Sequence, residues 1–463
     1  MEQDPQGTDE KIRLRLKAWS EKDADYWSFR GRSTRKHLHA YFQYPAMMVP
    51  QMQGALIDAI VDIVPGTKSL YEPFIGSGTV MTEAMKYGLD IYGQDINPLA
   101  VLLCRTKSGP FYSEAAKDRI EQLKSRIQSD GRCQIEADFP GLKKWFKDDV
   151  ACELSKIRRA IRSERFLWCR RFFWVALAET IRLTSNSRTS TYKLHIRSDD
   201  DIQTRCLSPI EMFTAVLEKN LEYLSEKKGI LKARHLLRRG KYIGKVDIRL
   251  KDSSLQYDVQ QATGQQTKQE LHDILVSSPP YGDNRTTISY GQNAYLPLQW
   301  IDLEDIDEGL GAELLTSSYE IDRRSLGGSL TKKIVKEAEE LLDVSKSLKE
   351  TIENLKGEPE DRQNRVAAFY RDLSRCIDPT LKALKPHAYM IWTVGNRRVA
   401  GRLVPMDKIL AELITYKGAE FVESFERLIP SKRMAVKAGD YMTIRAETII
   451  VMRRTESKGN AST

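Results

Sequence analysis

The chain lacks long apolar runs. No stretch approaches the roughly 20 consecutive apolar residues that a transmembrane helix needs. The N-terminal residues 1–30 are polar and lack the apolar core of a signal peptide. These absences exclude a membrane-spanning protein and a secreted one, so we expect a cytoplasmic location.

Cysteine is sparse, and its placement excludes a metal or disulfide framework. The six cysteines include no CxxC pair and fall at no spacing typical of metal ligands. The six histidines form no recognisable ligand or catalytic pattern either. We therefore expect neither a metal site nor a disulfide scaffold.

What is present is the composition of a globular protein with an excess of basic residues. The 463 residues are 41% hydrophobic and 30% charged, which is ample for a buried core and excludes wholesale disorder. Lysine and arginine number 73 against 64 acidic residues, a net charge of +9. A basic balance of this kind favours a polyanionic partner such as nucleic acid.

Helix and strand patterns divide the chain into two α/β stretches separated by a helical one. Strand and helix signals alternate before residue 110 and again after 241, which predicts a parallel sheet. Apolar residues at spacings of three and four over 331–356 predict one amphipathic helix. The predicted segments are an N-terminal arm (1–43), a first α/β part (44–110), a helical insertion (111–240), a second α/β part (241–455) with a further helical insertion at about 300–360, and a tail (456–463).

A glycine-rich turn follows the first predicted strand. The segment SLYEPFIGSGT predicts a strand that ends at Glu72 and a turn through Gly76 and Gly78. Glycine suits a backbone that passes close to a ligand. A second strand ends at Asp95, and an acid at that position suits the two hydroxyls of a ribose. The dinucleotide pattern GxGxxG is absent, so the loop taken alone has a purely structural turn as its alternative.

A second motif follows another apolar strand. In LHDILVSSPPY (271–281), two prolines at the end of the strand force the chain to leave the sheet. The loop would present the Ser278 hydroxyl, the Pro279 carbonyl and the Tyr281 ring together at the rim of the sheet, where α/β folds bind ligands. A planar base could stack on Tyr281 while its exocyclic amine donates hydrogen bonds to Ser278 and to the Pro279 carbonyl.

Together these motifs resemble those of the DNA amino-methyltransferases that use S-adenosylmethionine. EPFIGSGT is similar to their cofactor motif, GQDINP to their ribose motif and SPPY to their catalytic motif. YPA at 44–46 is similar to a segment that closes over the cofactor, and 246–252 to a third strand whose final acid reaches the adenine. The resemblance implies an α/β fold with a Rossmann-like seven-stranded methyltransferase sheet and a large, mostly helical insertion.

The resemblance also implies the cofactor, S-adenosylmethionine, and the residues of the site. The catalytic residues would be Ser278, Pro279, Pro280 and Tyr281. The cofactor-binding residues would be Tyr44, Pro45, Ala46, Glu72, Pro73, Phe74, Gly76, Ser77, Gly78, Thr79, Asp95, Ile96, Asn97 and Asp252.

The catalytic motif implies methylation of an exocyclic amine. Hydrogen bonds from both amine hydrogens would localise the nitrogen lone pair for direct transfer, so catalysis would rest on positioning and electrostatics. Methylation of a cytosine ring carbon instead needs a cysteine nucleophile, which in the family that performs it follows a proline, and no cysteine here does. Serine at the first motif position is typical of cytosine-N4 enzymes, whereas aspartate or asparagine more often marks adenine-N6 enzymes. We therefore predict cytosine N4, with adenine N6 as the alternative.

The predicted partner is double-stranded DNA, from which the target base must flip. Polar and basic residues over 185–197 and a basic run over 227–251 predict the recognition surface, although a solvated helix is the alternative for the run. A separately encoded restriction endonuclease is a predicted partner, because nothing in the chain resembles a nuclease. An RNA amino-methyltransferase and a non-catalytic DNA-binding regulator are the competing functions. The predicted DNA-binding residues are Arg188, Lys193, His195, Arg197, Lys227, Lys228, Lys232 and Arg234.

Overall fold

A mixed seven-stranded sheet forms the centre of the molecule. The computed structural model describes residues 4–23, 26–29, 37–256, 271–429, 444 and 446–456. The strands of the sheet are β1 (Ser69–Glu72), β2 (Asp90–Asp95), β3 (Val246–Leu250), β4 (His272–Ser277), β5 (Leu384–Val394), β6 (Ala419–Leu428) and β7 (Ala446–Arg454). Their spatial order is β3-β2-β1-β4-β5-β7-β6. Strand β7 is antiparallel to both of its neighbours, and the other pairs are parallel. The Rossmann-like seven-stranded sheet expected from the sequence is confirmed.

Helices cover both faces of this sheet. The α-helices of the described residues are α1 (Pro5–Lys22), α2 (Pro50–Ile63), α3 (Thr79–Ala84), α4 (Pro98–Lys107), α5 (Ser113–Ser129), α6 (Leu142–Trp145), α7 (Asp148–Arg162), α8 (Leu167–Thr184), α9 (Asp199–Thr204), α10 (Pro209–Ala233), α11 (Tyr290–Trp300), α12 (Glu320–Arg324), α13 (Lys332–Glu339), α14 (Lys346–Asn354), α15 (Glu360–Lys382) and α16 (Met406–Tyr416). Two small antiparallel ribbons pair Leu237–Arg238 with Lys241–Tyr242 and Arg397–Val399 with Arg402–Val404. Among the described helices, none combines the length and the apolar character that crossing a bilayer requires.

Alternate side chains of the central strands feed two hydrophobic cores. In β1, Leu70 belongs to one core and Tyr71 to the other, as the two-residue period of a strand requires. The first core also contains α2, α3 and α4, and the second contains α15 and α16. The sheet is therefore sandwiched between helices, and its ligand-binding edge lies where the parallel strands end.

The helices α5 to α10 occupy the segment predicted as an insertion, and they extend the first core. Phe173 and Trp174 of α8 are fully buried. Helix α8 packs on α4 of the sheet layer and on α7 and α10. Its apolar side chains and those of the sheet face belong to one continuous hydrophobic cluster. The insertion is thus built onto the sheet.

The amphipathic segment 331–356 is two helices, and the single helix expected from its spacing is wrong. Helix α13 ends at Glu339, and α14 begins only after Ser345. The Ser345 side chain caps α14 by accepting a hydrogen bond from the Leu348 backbone N–H (3.1 Å). A serine cap of this kind competes with continuation of the preceding helix. The two short helices pack against α15 and α16.

Candidate active site

The glycine loop lies at the carboxyl end of β1 and leads into α3. Gly76 and Gly78 have φ angles of 50° and 73°, in the left-handed region that favours glycine. A Cβ atom on Gly78 would lie 2.9 Å from the Cys104 Sγ atom, so the position is closed to a side chain as well. The loop therefore needs glycine for its conformation and for its close approach to α4.

Asp95 at the end of β2 holds this loop in place. One carboxylate oxygen accepts a hydrogen bond from the Gly76 backbone N–H (2.9 Å), and the other accepts one from the Asn97 backbone N–H (2.8 Å). Burial raises the pKa of Asp95 to about 6, against the opposing effect of the backbone donors. Each carboxylate oxygen keeps a lone pair beyond these contacts, so Asp95 can brace the loop and still accept hydrogen bonds from a ligand.

The segment 44–46 lies against the same loop. The Tyr44 hydroxyl accepts a hydrogen bond from the Asn97 side chain (3.3 Å), and a ring carbon of Tyr44 lies 3.6 Å from the place of a Cβ atom on Gly76. The Tyr44 ring also packs on the ring of Tyr290, with 5.8 Å between centroids. Tyr44 therefore links the glycine loop, the end of β2 and the segment that follows SPPY.

Glu72 is an acid without a protein partner in this site. Its side chain is fully buried, and neither carboxylate oxygen has a hydrogen-bond partner among the described residues. Burial, with a smaller contribution from the nearby Asp95 carboxylate, raises the pKa of Glu72 well above its usual range. An orphaned carboxyl group at the end of β1 suits a ligand that brings positive charge or hydrogen-bond donors.

Asp252 lies two residues beyond β3, beside the end of β2. The Gln94 side chain donates to its backbone carbonyl (3.3 Å), and its own carboxylate accepts from the Ser254 backbone N–H (2.8 Å). The side chain of Asp252 is exposed. The structure thus places Asp252 at the same edge of the sheet as Asp95, and its contact with an adenine stays a prediction.

Two residues of α4 that no sequence motif marks support the glycine loop from below. Lys107 is 1% exposed, its Nζ donates to the Ser77 carbonyl (2.7 Å), and burial lowers its pKa to about 8. The Cys104 thiol donates to the Gly76 carbonyl (3.3 Å). The sequence signal for this support is a lysine at the end of a helix whose first two turns are apolar.

The SPPY loop leaves β4 directly beside the glycine loop, because β4 pairs in parallel with β1 and adjacent strands lie about 4.8 Å apart. A line of hydrogen bonds runs through its side chains. Ser278 Oγ donates to the Tyr281 hydroxyl (3.3 Å), and that hydroxyl donates to Glu447 Oε1 (3.0 Å). The Glu447 Oε2 atom accepts from Arg427 Nε (2.7 Å). The SPPY loop is thereby tied to β6 and β7, a link that no motif indicated.

Close packing fixes the Tyr281 ring. A Cβ atom on Gly395, which follows β5, would lie 2.6 Å from Cδ2 of this ring. Burial, with a further contribution from Glu447, holds the pKa of the Tyr281 hydroxyl well above its usual value. The hydroxyl is therefore protonated at all physiological pH values and acts as a donor to Glu447.

The residues after SPPY are ordered by buried polar contacts. Asp283 accepts from the Thr286 backbone N–H (3.0 Å) and pairs with Arg397 (3.2 Å). Asn284 donates from its side chain to the Asp322 carboxylate (3.0 Å). Both Asp283 and Asn284 are buried. The segment that leaves the catalytic loop is thus held on two sides.

The predicted recognition stretch 185–197 forms a loop that rests on this segment. The Lys193 Nζ atom donates to the Arg285 carbonyl (3.2 Å), four residues beyond Tyr281. The Leu194 backbone N–H donates to the Gln292 side chain (3.2 Å). The loop 185–197 therefore lies at the same edge of the sheet as the SPPY loop.

The basic side chains of this loop differ in their partners. Arg188 and His195 are exposed, and neither side chain has a hydrogen-bond or ion-pair partner in the part of the chain that the structure describes. Arg197 pairs with Asp201 (2.9 Å) and donates to the Ser187 carbonyl (3.2 Å). The side chain of Arg197 thus stabilises the loop. Those of Arg188 and His195 make no hydrogen bond or ion pair with the described residues.

Lys227 does not lie on the surface, which corrects its prediction as a phosphate contact. The side chain is 3% exposed, and its Nζ atom donates to the Thr82 carbonyl (2.7 Å). Burial lowers the pKa of Lys227 to about 7. Lys227 is an internal tie between α10 and α3, the helix that follows the glycine loop.

The other predicted cations of this run lie away from the catalytic edge. Arg234 donates to the Lys86 carbonyl (3.0 Å), just before β2 begins, and so lies near the amino end of that strand. Lys228 pairs with Glu114 (2.5 Å), and Lys232 is exposed on the last turn of α10. Because the SPPY loop leaves from the carboxyl end of β4, this end of α10 lies toward the opposite edge of the sheet.

We expect Lys227→Ala to lower the free energy of unfolding by about 1–3 kcal/mol, because it removes a buried hydrogen bond to the Thr82 carbonyl. The matched control is Lys232→Ala on an exposed turn of the same helix, which should leave stability unchanged. Thermal unfolding of both variants makes the comparison. An unchanged melting temperature for Lys227→Ala would contradict the buried tie.

The strand order, with its antiparallel β7, defines a Rossmann-like methyltransferase fold, and the glycine loop after β1 and the acid after β2 accord with that class. Comparison with known proteins agrees. The chain is 33% identical over 421 residues to the type II methyltransferase M.MvaI of Kocuria varians, a match that covers 89% of this chain and 88% of that protein. The chain therefore belongs to the type II methyltransferase family.

Two other comparisons add nothing to this assignment. No protein-family model matches the chain. Among solved structures, the rRNA methyltransferase aviRa from Streptomyces viridochromogenes overlaps 91% of this chain and 96% of its own, at 10% identity and a TM-score of 0.30. A TM-score of 0.30 does not establish a shared fold. The fold is therefore assigned from the strand order, and the family from the sequence identity to M.MvaI.

The residues at the carboxyl edge fit S-adenosylmethionine, the methyl donor that a methyltransferase implies. The orphaned Glu72 carboxyl group matches a ligand that carries positive charge and amine donors. Asp95 retains acceptor capacity for hydroxyl groups, and the lack of side chains at Gly76 and Gly78 leaves room for close approach to the backbone.

We expect cofactor binding to weaken as the pH falls through about 6, where Asp95 becomes protonated and loses acceptor capacity. The loss should reach roughly tenfold by pH 5, as follows from a pKa near 6. Titration calorimetry with S-adenosylmethionine between pH 5 and 8 measures it. Asp95→Asn should flatten the profile, and a profile unchanged in Asp95→Asn would assign the titration to Glu72 instead.

Proposed function

We propose that this protein transfers a methyl group from S-adenosylmethionine to the exocyclic N4 amine of a cytosine flipped out of duplex DNA. The observation that carries the proposal is the SPPY loop, whose Ser278 and Pro279 leave β4 beside the glycine loop with Tyr281 fixed next to them. A hydroxyl, a carbonyl and an aromatic ring in this arrangement suit a planar base that carries an amine. Membership of the type II methyltransferase family supports DNA as the substrate.

The cofactor in this proposal lies along the ends of β1, β2 and β3. Asp95 accepts from the ribose hydroxyls, Asp252 reaches the adenine, and Glu72 lies beside the methionine part. When bound, S-adenosylmethionine would supply a methyl group on a positively charged sulfur: the C–S bond would break as the new N–C bond forms, leaving a neutral thioether, and the methylated amine would release one of its two hydrogens as a proton. The remaining predicted contacts come from the turn and the two flanking segments: Tyr44, Pro45, Ala46, Pro73, Phe74, Gly76, Ser77, Gly78, Thr79, Ile96 and Asn97.

The chain's own contribution to the reaction is to orient the amine. Ser278 Oγ and the Pro279 carbonyl accept its two hydrogens, so that the nitrogen lone pair is withdrawn from the ring and directed at the methyl group. Pro280 keeps the loop from continuing the sheet. Tyr281 packs against the base. The buried contacts of Asp283 and Asn284 hold this arrangement before the substrate arrives.

A direct assay tests the proposal. Duplex DNA is incubated with the purified protein and labelled S-adenosylmethionine, digested to nucleosides and analysed by mass spectrometry. N4-methylcytosine is the expected product. N6-methyladenine alone would move the target to the predicted alternative, and methylation of RNA but not of DNA would overturn the proposal. Single-molecule sequencing of DNA from expressing cells then gives the sequence context.

The proposal places recognition of the DNA sequence in the loop 185–197. Its support is that Lys193 ties this loop to the segment beyond SPPY, while Arg188 and His195 extend from it without partners in the described chain. A cleft lies between this loop and α11, and Arg188, Tyr192 and Asn293 are among the residues that line it. Arginine is well suited to bidentate contacts with guanine in the major groove.

We expect Arg188→Ala to reduce the preference for the cognate duplex over a scrambled one by about 1–3 kcal/mol. Lys232→Ala, at the other edge of the sheet, is the control and should leave that preference unchanged. Binding affinities for both duplexes, measured over a series of salt concentrations, make the comparison. An equal loss of affinity on both duplexes would show that Arg188 contacts phosphate only.

The proposal extends to the cellular setting. A DNA modification enzyme of this family fits a restriction–modification pair, in which a separately encoded endonuclease cleaves the same sequence when it is unmethylated. The proposed location is the cytoplasm, where bacterial DNA is accessible to both enzymes. Protection of cellular DNA from one sequence-matched endonuclease after expression of this protein would support the pairing.

A further inference from the structure

The SPPY loop contains a hydroxyl group whose direction matters. A serine hydroxyl has one proton and two lone pairs, so it can donate or accept. An exocyclic amine brings hydrogens, and Ser278 must therefore accept if it is to orient the amine as proposed. The sequence of the loop alone does not fix this choice.

Tyr281, Glu447 and Arg427 determine whether Ser278 donates or accepts. Arg427 is 5% exposed and carries only donors, so the Glu447 carboxylate that it contacts at 2.7 Å must be its acceptor. The other Glu447 oxygen, Oε1, accepts from the Tyr281 hydroxyl at 3.0 Å. A tyrosine hydroxyl has one hydrogen to donate, and here it is donated in the hydrogen bond to Glu447.

The consequence reaches the catalytic position. Because the Tyr281 hydroxyl donates its one hydrogen bond to Glu447, it can only accept a hydrogen bond from Ser278, at 3.3 Å. The single Ser278 proton is thereby directed into the protein. Its lone pairs are the part of the hydroxyl left for a substrate.

We infer that Glu447, held by Arg427, is a positioning residue that makes Ser278 an obligate acceptor and so selects a base carrying an amine. The inference rests on the proposed function and adds to it a residue 166 positions away from Tyr281. A base with a keto oxygen in place of the amine would set that oxygen against the lone pairs of Ser278. The direction of the hydrogen bonds from Ser278 to Tyr281 and from Tyr281 to Glu447 thus favours a base with an amine over one with a keto oxygen.

Replacement of Glu447 by glutamine should reverse the direction of the hydrogen bonds that join residue 447, Tyr281 and Ser278. Arg427 offers donors only, so the amide oxygen of the new side chain must face Arg427 and its NH₂ group must face Tyr281. Tyr281 then accepts from the amide and donates to Ser278, which turns the Ser278 proton toward the substrate. The change keeps the size of the side chain and removes one charge.

The test compares three variants with the wild type in steady-state methylation of duplex DNA. Glu447→Gln should lower kcat by about 10- to 100-fold while the affinity for S-adenosylmethionine stays within twofold. Tyr281→Phe, which keeps the ring and removes the relay, should cost less, because Ser278 can then turn either way. In the double variant, Tyr281→Phe should restore kcat from the level of Glu447→Gln to that of Tyr281→Phe alone.

Rescue by a second substitution is a result that a merely structural role of Glu447 would not give. The matched control is Glu426→Gln, an exposed neighbour of Arg427 on β6, which should retain wild-type kcat. Wild-type kcat in Glu447→Gln, or additive losses in the double variant, would overturn the inference. Those outcomes leave the proposed function standing as long as Ser278→Ala is inactive, whereas full activity of Ser278→Ala would overturn the proposed function itself.

Discussion

Replacing Ser278 by alanine is expected to reduce methyl transfer about 100- to 1,000-fold and to leave S-adenosylmethionine binding within about twofold. In the proposed reaction the variant removes the acceptor for one amine hydrogen, and loss of one positioned group of this kind costs about 3–4 kcal/mol of barrier. The described contacts of Ser278 run to Tyr281 and away from the glycine loop, so the cofactor site should be unaffected. Titration calorimetry beside the nucleoside assay measures both quantities.

The neighbouring residue supplies a close control for this result. Ser277 is fully buried, and its hydroxyl has no partner among the described residues. Ser277→Ala therefore removes the same group one position earlier and should keep its activity. If Ser278→Ala lost cofactor binding and methyl transfer in equal measure, the assignment of Ser278 to the target base would be wrong.

Asp95→Ala should give the second large effect, a loss of cofactor affinity of about 10- to 100-fold. It removes the charged acceptor proposed for the ribose hydroxyls, a contact of about 1.5–3 kcal/mol. It also releases the Gly76 backbone N–H, which loosens the glycine loop. Turnover at saturating cofactor should fall much less, so calorimetric titration and a cofactor-dependent rate series together identify the change as one of binding.

Asp95→Asn separates the two roles of this acid. The amide keeps one oxygen acceptor for a backbone N–H and loses the charge. An intermediate affinity would indicate that both the loop brace and the ribose contact contribute. Unchanged cofactor affinity in a folded Asp95→Ala variant would mean that Asp95 only braces the loop.

Local patterns in the sequence predicted the sheet and the position of its loops. The strands β1, β2 and β4 are short segments with two or three apolar residues at their centres that end at Glu72, Asp95 and Ser277, and each is followed by glycine, proline or a polar turn. Such signals lie within about ten residues of one another, and the parallel arrangement follows from the alternation of strands with helices. The edge of the sheet that holds the site could therefore be predicted.

Contacts between distant segments could not be predicted in the same way. Glu447 meets Tyr281 across 166 residues, and Lys193 meets Arg285 across 92. Nothing in the spacing of either pair marks it, because the strands and loops that carry them meet only in the folded chain. Lys227 was assigned to the surface on its charge alone, although a long side chain can place its ammonium group on a buried carbonyl.

The packing of α8 on α4 has a consequence for any attempt to change the proposed target preference. The helices α5 to α10, which flank the loop 185–197, share one hydrophobic core with the sheet and α4. Helix α4 also supplies Lys107 to the glycine loop. In a chimera that takes these helices from another enzyme, the imported α8 would have to pack on an α4 whose side chains did not evolve with it. Substitutions in 185–197 are therefore expected to alter the proposed target preference with less damage to the fold than replacement of the helices beneath that loop.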